Sequence, residues 1–254
     1  MVKRERLALR SVLPVALFLL MAPAAVPQSQ EPSQPLDEIV RHFAQKEEDY
    51  ARAHALYNYQ LRIRIQEIAE DNRVVGEFEQ VSRVEFDRSG RRVAQVLENP
   101  HVDLAHLGVS RVELSDLEFV PLFILGPDDI PDYKVTYLAR ERLDEVNTYL
   151  FRLTPARVAR PGDHLFEGIV WVDAQKLDIV RALGRTVPVR ATGALNGYFR
   201  RVEIFREPVD DSLFTTFVRA DDVLAVQDVP IRARLVLRFS KHERVREPDA
   251  AQSR

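Results

Sequence analysis

Over residues 36 to 66 the hydrophobic pattern changes its period. Leu36, Ile39, Val40, Phe43, Glu47 and Tyr50 recur at helical spacing with charged residues on the other face, which predicts an amphipathic helix over 35–55. Tyr57, Tyr59, Leu61, Ile63 and Ile65 then alternate with Asn58, Gln60, Arg62, Arg64 and Gln66, the period of two that marks a half-buried strand. Glu70-Asp71-Asn72-Arg73 is a turn signal, and strands over 75–86 and 92–97 follow on either side of Asp87-Arg88-Ser89-Gly90.

The β pattern then breaks. Ser115 and Glu118 have the spacing of a capping box, and Leu117, Phe119, Val120, Leu122, Phe123, Ile124 and Leu125 are apolar almost all round. This predicts a helix from Ser115 to Leu125, buried on several sides or covering an apolar opening, and ended by Gly126-Pro127. Strands return over 133–139, 147–153, 165–172, 177–185, 198–206, 212–220 and 231–239. Between them stand Asp144-Glu145, Pro161-Gly162-Asp163, Asp173-Ala174, Asn196-Gly197 and Asp210-Asp211. About ten short strands joined mostly by tight turns predict an antiparallel meander, and its apolar face must be covered. The expected fold is mainly β: a strongly curved antiparallel sheet, or half-barrel, with the N-terminal helix and the mid-chain apolar helix on its concave side.

The ends change the picture of where this fold works. Lys3, Arg4 and Arg6 precede an apolar run from Val12 to Met21 and the small residues Ala22-Pro23-Ala24, the order of a secretory signal peptide over 1–24. A polar, proline-bearing spacer over 25–35 follows, then a single domain over 36–246 and a tail over 247–254 expected to be disordered. Periplasmic export of a soluble product is the expectation. The chain has no cysteine, so neither disulfides nor a lipobox cysteine are available. Cleavage removes four of the 36 basic and one of the 39 acidic residues, leaving a net charge of about −6. That balance argues against nucleic acid as a partner, because phosphate binding needs a clustered basic excess.

With these elements in order, the chain resembles the outer-membrane lipoprotein-sorting proteins, the LolA/LolB-like group. The local likeness lies in Tyr59-Gln60-Leu61-Arg62-Ile63, where helix gives way to strand. It lies also in Phe166-Glu167-Gly168-Ile169-Val170-Trp171-Val172-Asp173, continuing through Leu177-Asp178-Ile179-Val180-Arg181 toward Gly184. The resemblance implies a half-barrel with a helical lid that shelters lipid or lipoprotein acyl chains, working as a monomer with a membrane-bound delivery partner. It does not place the arginine that holds the lid in the carrier proteins. Tyr57, Tyr59, Phe78, Phe86, Tyr149, Phe151 and Trp171, taken as inward-facing, would form the ligand wall, and Phe119, Leu122 and Phe123 the lid. Aromatic stripes at such positions are also what ordinary core looks like.

Candidate chemistry adds little. His101 and His106 are five residues apart, which puts their rings on opposite sides of a strand and about 140° apart on a helix, awkward for a shared metal. Gly108-Val109-Ser110-Arg111-Val112 begins like a nucleophile elbow, but Val112 replaces the second glycine. The pairs Asp128-Asp129 and Asp210-Asp211 read as turns, and Asp221-Asp222 as the close of a strand. No catalytic residues, metal or cofactor are predicted. Arg62, Arg64, Arg232, Arg234 and Arg238 read as the solvated face of the sheet, able to meet acidic lipid headgroups or a membrane partner. The leading expectation is a soluble carrier of acyl chains. A sensory or scaffolding module that binds a protein partner is the alternative, and a secreted hydrolase using the Asp pairs ranks below both.

Overall fold

The computed structural model describes residues 32, 34–86, 91–111, 114, 117, 124–160, 165–187, 199, 201–226 and 228–245. The predicted export signal, most of the spacer, the tail, the turns at 87–90, 161–163 and 196–197, and Phe119, Leu122 and Phe123 lie outside these residues.

Helix α1 (Leu36–His54) opens the fold, with Asp37 and Glu38 in its first turn, where they complement the helix dipole. Eleven strands follow: β1 (Tyr57–Ile68), β2 (Val74–Phe86), β3 (Arg92–Val96), β4 (His101–Asp103), β5 (Tyr133–Leu143), β6 (Val146–Pro155), β7 (Leu165–Asp173), β8 (Ile179–Val187), β9 (Val202–Val209), β10 (Ser212–Val226) and β11 (Val229–Arg244). They form one antiparallel sheet in the order β3-β2-β1-β11-β10-β9-β8-β7-β6-β5, with β4 also paired to β2. The sheet does not close, which fits a curved half-barrel and agrees with the predicted mainly β class.

Several boundaries differ from the sequence reading for local reasons. Leu177 takes φ 58°, a turn conformation, so β8 starts at Ile179. Asp221 and Asp222 lie within β10 rather than at its end, because Asp221 is held by Arg219 and Arg234 on the same face. His101–Asp103 forms a short strand too brief to show a period of its own. Turns at Asn72, Asp144 and Asp210 stand where expected, each of these residues with positive φ.

The simple meander is also corrected. Strands β5 to β11 do run as a meander, but β11 then pairs with β1, so the first strands are stitched on by the last. After β4 the chain is at one edge of the sheet and must reach β5 at the other, roughly 40 Å along the curved sheet at the usual strand spacing. Of the described residues in the crossing segment between them, Leu107, Leu117, Ile124 and Leu125 are buried in the common core of the inner face. Arg111, Leu114 and Leu117 are helical and the Leu114 N–H donates to the Ser110 carbonyl, so the helix starts before Ser115. Ile124 and Leu125, expected inside it, are already extended or irregular.

The inner face follows from strict alternation. Leu61, Ile63 and Ile65 of β1 and Leu235 and Leu237 of β11 are completely buried. Against this wall α1 buries Ile39, Val40, Phe43, Ala44 and Tyr50. At about 1.5–3 kcal/mol per large apolar side chain, that stripe is worth on the order of 10 kcal/mol before entropy is counted.

Candidate functional site

Two elements cover the inner face, α1 and the crossing segment, and one side chain holds both. Glu47 sits in the apolar stripe of α1 and is 2% exposed, as is its partner Arg206 on the inner face of β9. The guanidinium grips the carboxylate with both terminal nitrogens, Nη2 donating to Oε2 at 3.0 Å. The same Oε2 accepts the backbone N–H of Ile124 at 2.9 Å. Arg206 also lies over the Tyr50 ring, 4.5 Å from its centre, and donates to the Ile179 carbonyl. Burial disfavours the charge on Arg206, but the Glu47 carboxylate outweighs it and raises its pKa. Tyr50 in turn donates its hydroxyl to Thr215 Oγ1 and accepts the Thr215 N–H, both at 3.2 Å. A polar knot thus runs through an otherwise apolar contact between helix and sheet.

A second carboxylate pins the far side of the crossing. Glu67, at an inward position near the end of β1, accepts the N–H groups of Ala105, His106 and Leu107 at 3.1, 2.7 and 2.7 Å, and lies 3.2 Å from His106 Nδ1. Burial works against its ionisation, yet those donors together hold its pKa below the ordinary carboxylate value. Gly76 makes room for it, since a Cβ there would stand 2.9 Å from Glu67 Oε2. His106 is thereby a loop residue fastened to Glu67, while His101 is exposed on β4. Among the described residues no group of three His, Cys, Asp or Glu side chains could hold a metal ion.

At the C-terminal end of α1, His54 is enclosed by Tyr50, Tyr59, Phe86 and Phe214. Burial lowers its pKa to about 3, helped by the positive charges of Arg92 and Arg206, so the ring is neutral at ordinary pH. His242, 5.2 Å from the Phe214 ring centre, is likewise lowered by burial.

The predicted wall residues divide into two groups. Tyr57, Tyr59, Phe78, Tyr149 and Phe151 are buried in the core with Phe86 packed partly buried against it. Phe43 of α1 meets Phe151 at 5.5 Å between ring centres, and Tyr57 donates its hydroxyl to Asp210 Oδ2 at 2.8 Å. Trp171 is a correction. Its neighbours Val170 and Val172 belong to the inner core, and its strand partners are Leu150 and Arg181 on the outer face. Its burial comes from the Arg181 guanidinium lying 4.5 Å from the ring centre, not from the inner core.

Beside α1 opens a cleft of about 960 Å³, bounded by β8, β9, β10 and the turns before β6 and β8. Its lining includes Lys46, Asp49, Asp173, Lys176, Asp178 and Asp211, with Glu47 and Arg206 at its base, and none of the predicted wall residues that are described. Burial raises the pKa of Asp178 there, with the positive charge of Lys46 working in the opposite direction. The predicted wall aromatics on the inner face are therefore packed as core, and what opens to solvent is a polar cleft beside α1. The sequence pattern places Glu47 on the stripe of the first helix but marks none of Glu47, Glu67 and Arg206 as a site residue. Their signal was present, a charge standing on the apolar phase of a helix or strand.

No protein-family model and no curated protein matches the chain. Among solved structures it is similar to a DUF1329 family protein from Desulfovibrio piger, with 13% identity, 84% of this chain and 95% of that one covered, and a TM-score of 0.38. It is similar to a LolA superfamily protein from Nitrosomonas europaea, with 13% identity, coverage of 86% and 97%, and a TM-score of 0.36. An outer membrane lipoprotein-sorting protein domain from Vibrio parahaemolyticus shares 8% identity over 85% and 95%, with a TM-score of 0.34. Two of these three belong to the lipoprotein-sorting group that the sequence pattern resembles.

Proposed function

We propose that the protein is an exported binding protein that shelters acyl chains of a lipid or lipoprotein against its inner face, α1 and the crossing segment acting as displaceable covers. The observation that carries this reading is the Glu47–Arg206 pair. A buried ion pair adds little stability compared with apolar side chains of similar volume, but it demands one geometry. Placed between a helix and the sheet it covers, it makes an attachment that is definite when closed and weakly favoured overall.

The magnitudes permit exchange. A sixteen-carbon chain withdrawn from water gains roughly 10 kcal/mol at about 0.8 kcal/mol per CH₂, similar to the gross gain from the apolar stripe of α1. An incoming chain can therefore replace the helix against Phe151, Leu61 and their neighbours with a small net cost. The acid-rich cleft stays wet and leaves room for the polar end of the ligand. Aromatic residues that are core in the closed state become the wall in the open one, with Phe119, Leu122 and Phe123 on the moving cover.

The experiment is mass spectrometry of organic extracts from the mature protein, purified from a periplasm without detergent. A stoichiometric lipid supports the carrier reading and names its class. A protein that is empty and also fails to bind added fatty acids or lipopeptides overturns it in favour of a module that binds a protein partner.

A further inference from the structure

The outer face of the sheet is not the evenly polar surface that an open sheet usually turns to water. Strand register places Leu150, Trp171, Arg181, Phe205, Phe217 and Arg238 in one row across β6 to β11. These side chains touch. Arg181 lies 4.5 Å from the Trp171 ring centre and 5.3 Å from that of Phe205, the Phe205 and Phe217 rings are 5.6 Å apart, and Arg238 lies 4.9 Å from Phe217. From β7 to β11 the stack is about 20 Å long at ordinary strand spacing.

We propose that this row is a docking surface for an anionic phospholipid membrane. Most arginines of this face are matched, Arg185 by Glu167 and both Arg219 and Arg234 by Asp221, but not all of them are. Arg181 shares Glu203, but Arg238 and Arg152, one rung away on β6, are exposed and have no carboxylate partner among the described residues. Arginine suits the headgroup because its planar fork matches phosphate oxygens, and aromatic rings beside it suit the boundary between headgroup and acyl chain.

A second observation points the same way. The Trp171 ring nitrogen is buried, as is Arg181 Nε stacked on it, and neither finds an acceptor among the described residues. Trp171 as a whole is 7% exposed, so the guanidinium seals an unused donor at the centre of the row. Phosphate oxygens reach these two donors only where the Arg181–Trp171 stack opens, and meet the exposed Arg152 and Arg238 first.

The row lies on the face away from the inner core, and only Phe205 also borders the cleft beside α1. The test is flotation of the mature protein with vesicles of phosphatidylcholine alone and of an equimolar mixture with phosphatidylglycerol. The expected result is flotation with the anionic vesicles only, abolished by high salt and reduced at least tenfold in the double variant Arg152→Glu, Arg238→Glu. Reversal of Arg41, exposed on α1, is expected to leave flotation unchanged, and circular dichroism checks that each variant is folded. Equal flotation with neutral vesicles, none at low salt, or full retention by the double variant overturns the proposal. Protein that extracts lipid yet never floats rejects this surface and leaves the acyl-chain reading intact.

Discussion

Glu47 and Arg206 stand 159 residues apart in the chain and close on one another inside an apolar contact, each almost wholly removed from water. Leaving one of the two alone is costly. Glu47→Leu is expected to lower unfolding free energy by about 3–5 kcal/mol, because Arg206 is left as an unpaired buried charge. The double variant Glu47→Leu, Arg206→Met should recover most of that loss, short by about 1–3 kcal/mol for the Ile124 N–H that no longer has an acceptor. Urea denaturation of the four-member cycle checks this.

Acid is expected to weaken the fold chiefly through His54, with His242 and Glu67 adding losses of the same sign and Asp178, whose pKa is raised, opposing them. His54 has a folded pKa of about 3 against an ordinary value of 6.5, so the unfolded chain binds the extra proton first. Stability is then full above pH 6.5 and falls as the pH drops toward 3, by at most about 5 kcal/mol at 1.36 kcal/mol per unit. Glu67, whose pKa is lowered, adds a loss that begins below its ordinary value of 4.5. Denaturation midpoints measured from pH 8 to pH 4 should decline for the native protein and much less for His54→Phe.

Removing the Glu67 carboxylate should loosen the crossing segment locally. Glu67→Ala is expected to cost about 2–3 kcal/mol and to speed amide hydrogen exchange at Ala105, His106 and Leu107, while exchange in β10 and β11 changes little beyond the global shift.

Gly168 and Gly184 face each other across β7 and β8, and the Phe166 ring lies over both. A Cβ on Gly184 would fall 2.4 Å from both the Glu167 carbonyl oxygen and Phe166 Cζ. Gly184→Ala is therefore expected to destabilise by about 1–3 kcal/mol through strain, although alanine is otherwise the better residue in a strand. A thermal melt reads the loss directly.

The sequence shows most of the strands because one face of each is buried, which imprints a period of two on Tyr57–Ile68 and on Val229–Arg244. It shows α1 for the same reason at a different period. Strand order is not visible, since nothing in the pattern of β1 or β11 says that each is the other's neighbour. Trp171 faces outward because Phe166, Val170 and Val172 occupy the inward phase of β7, although its aromatic ring makes it a natural candidate for the wall. The Glu47–Arg206 pair was legible in principle. Glu47 falls on the apolar stripe of its helix, and Arg206 on the phase of Val202 and Ile204, but a single charge on an apolar phase does not name its partner.

That β11 is the seam between β1 and β10 has a consequence for how the molecule comes into being. Until residues 229–244 are available, the sheet of β1 to β4 and the sheet of β5 to β10 are separate and share no ladder. A growing chain has two unfinished rims, and the final strand must slot between them, pairing with one of the earliest parts made. Such distant pairing is slow, because the ends of a long loop must meet before any contact rewards them. The two partial sheets are therefore joined only when the last strand has been made, and until then each keeps one unpaired rim beside the gap that β11 fills.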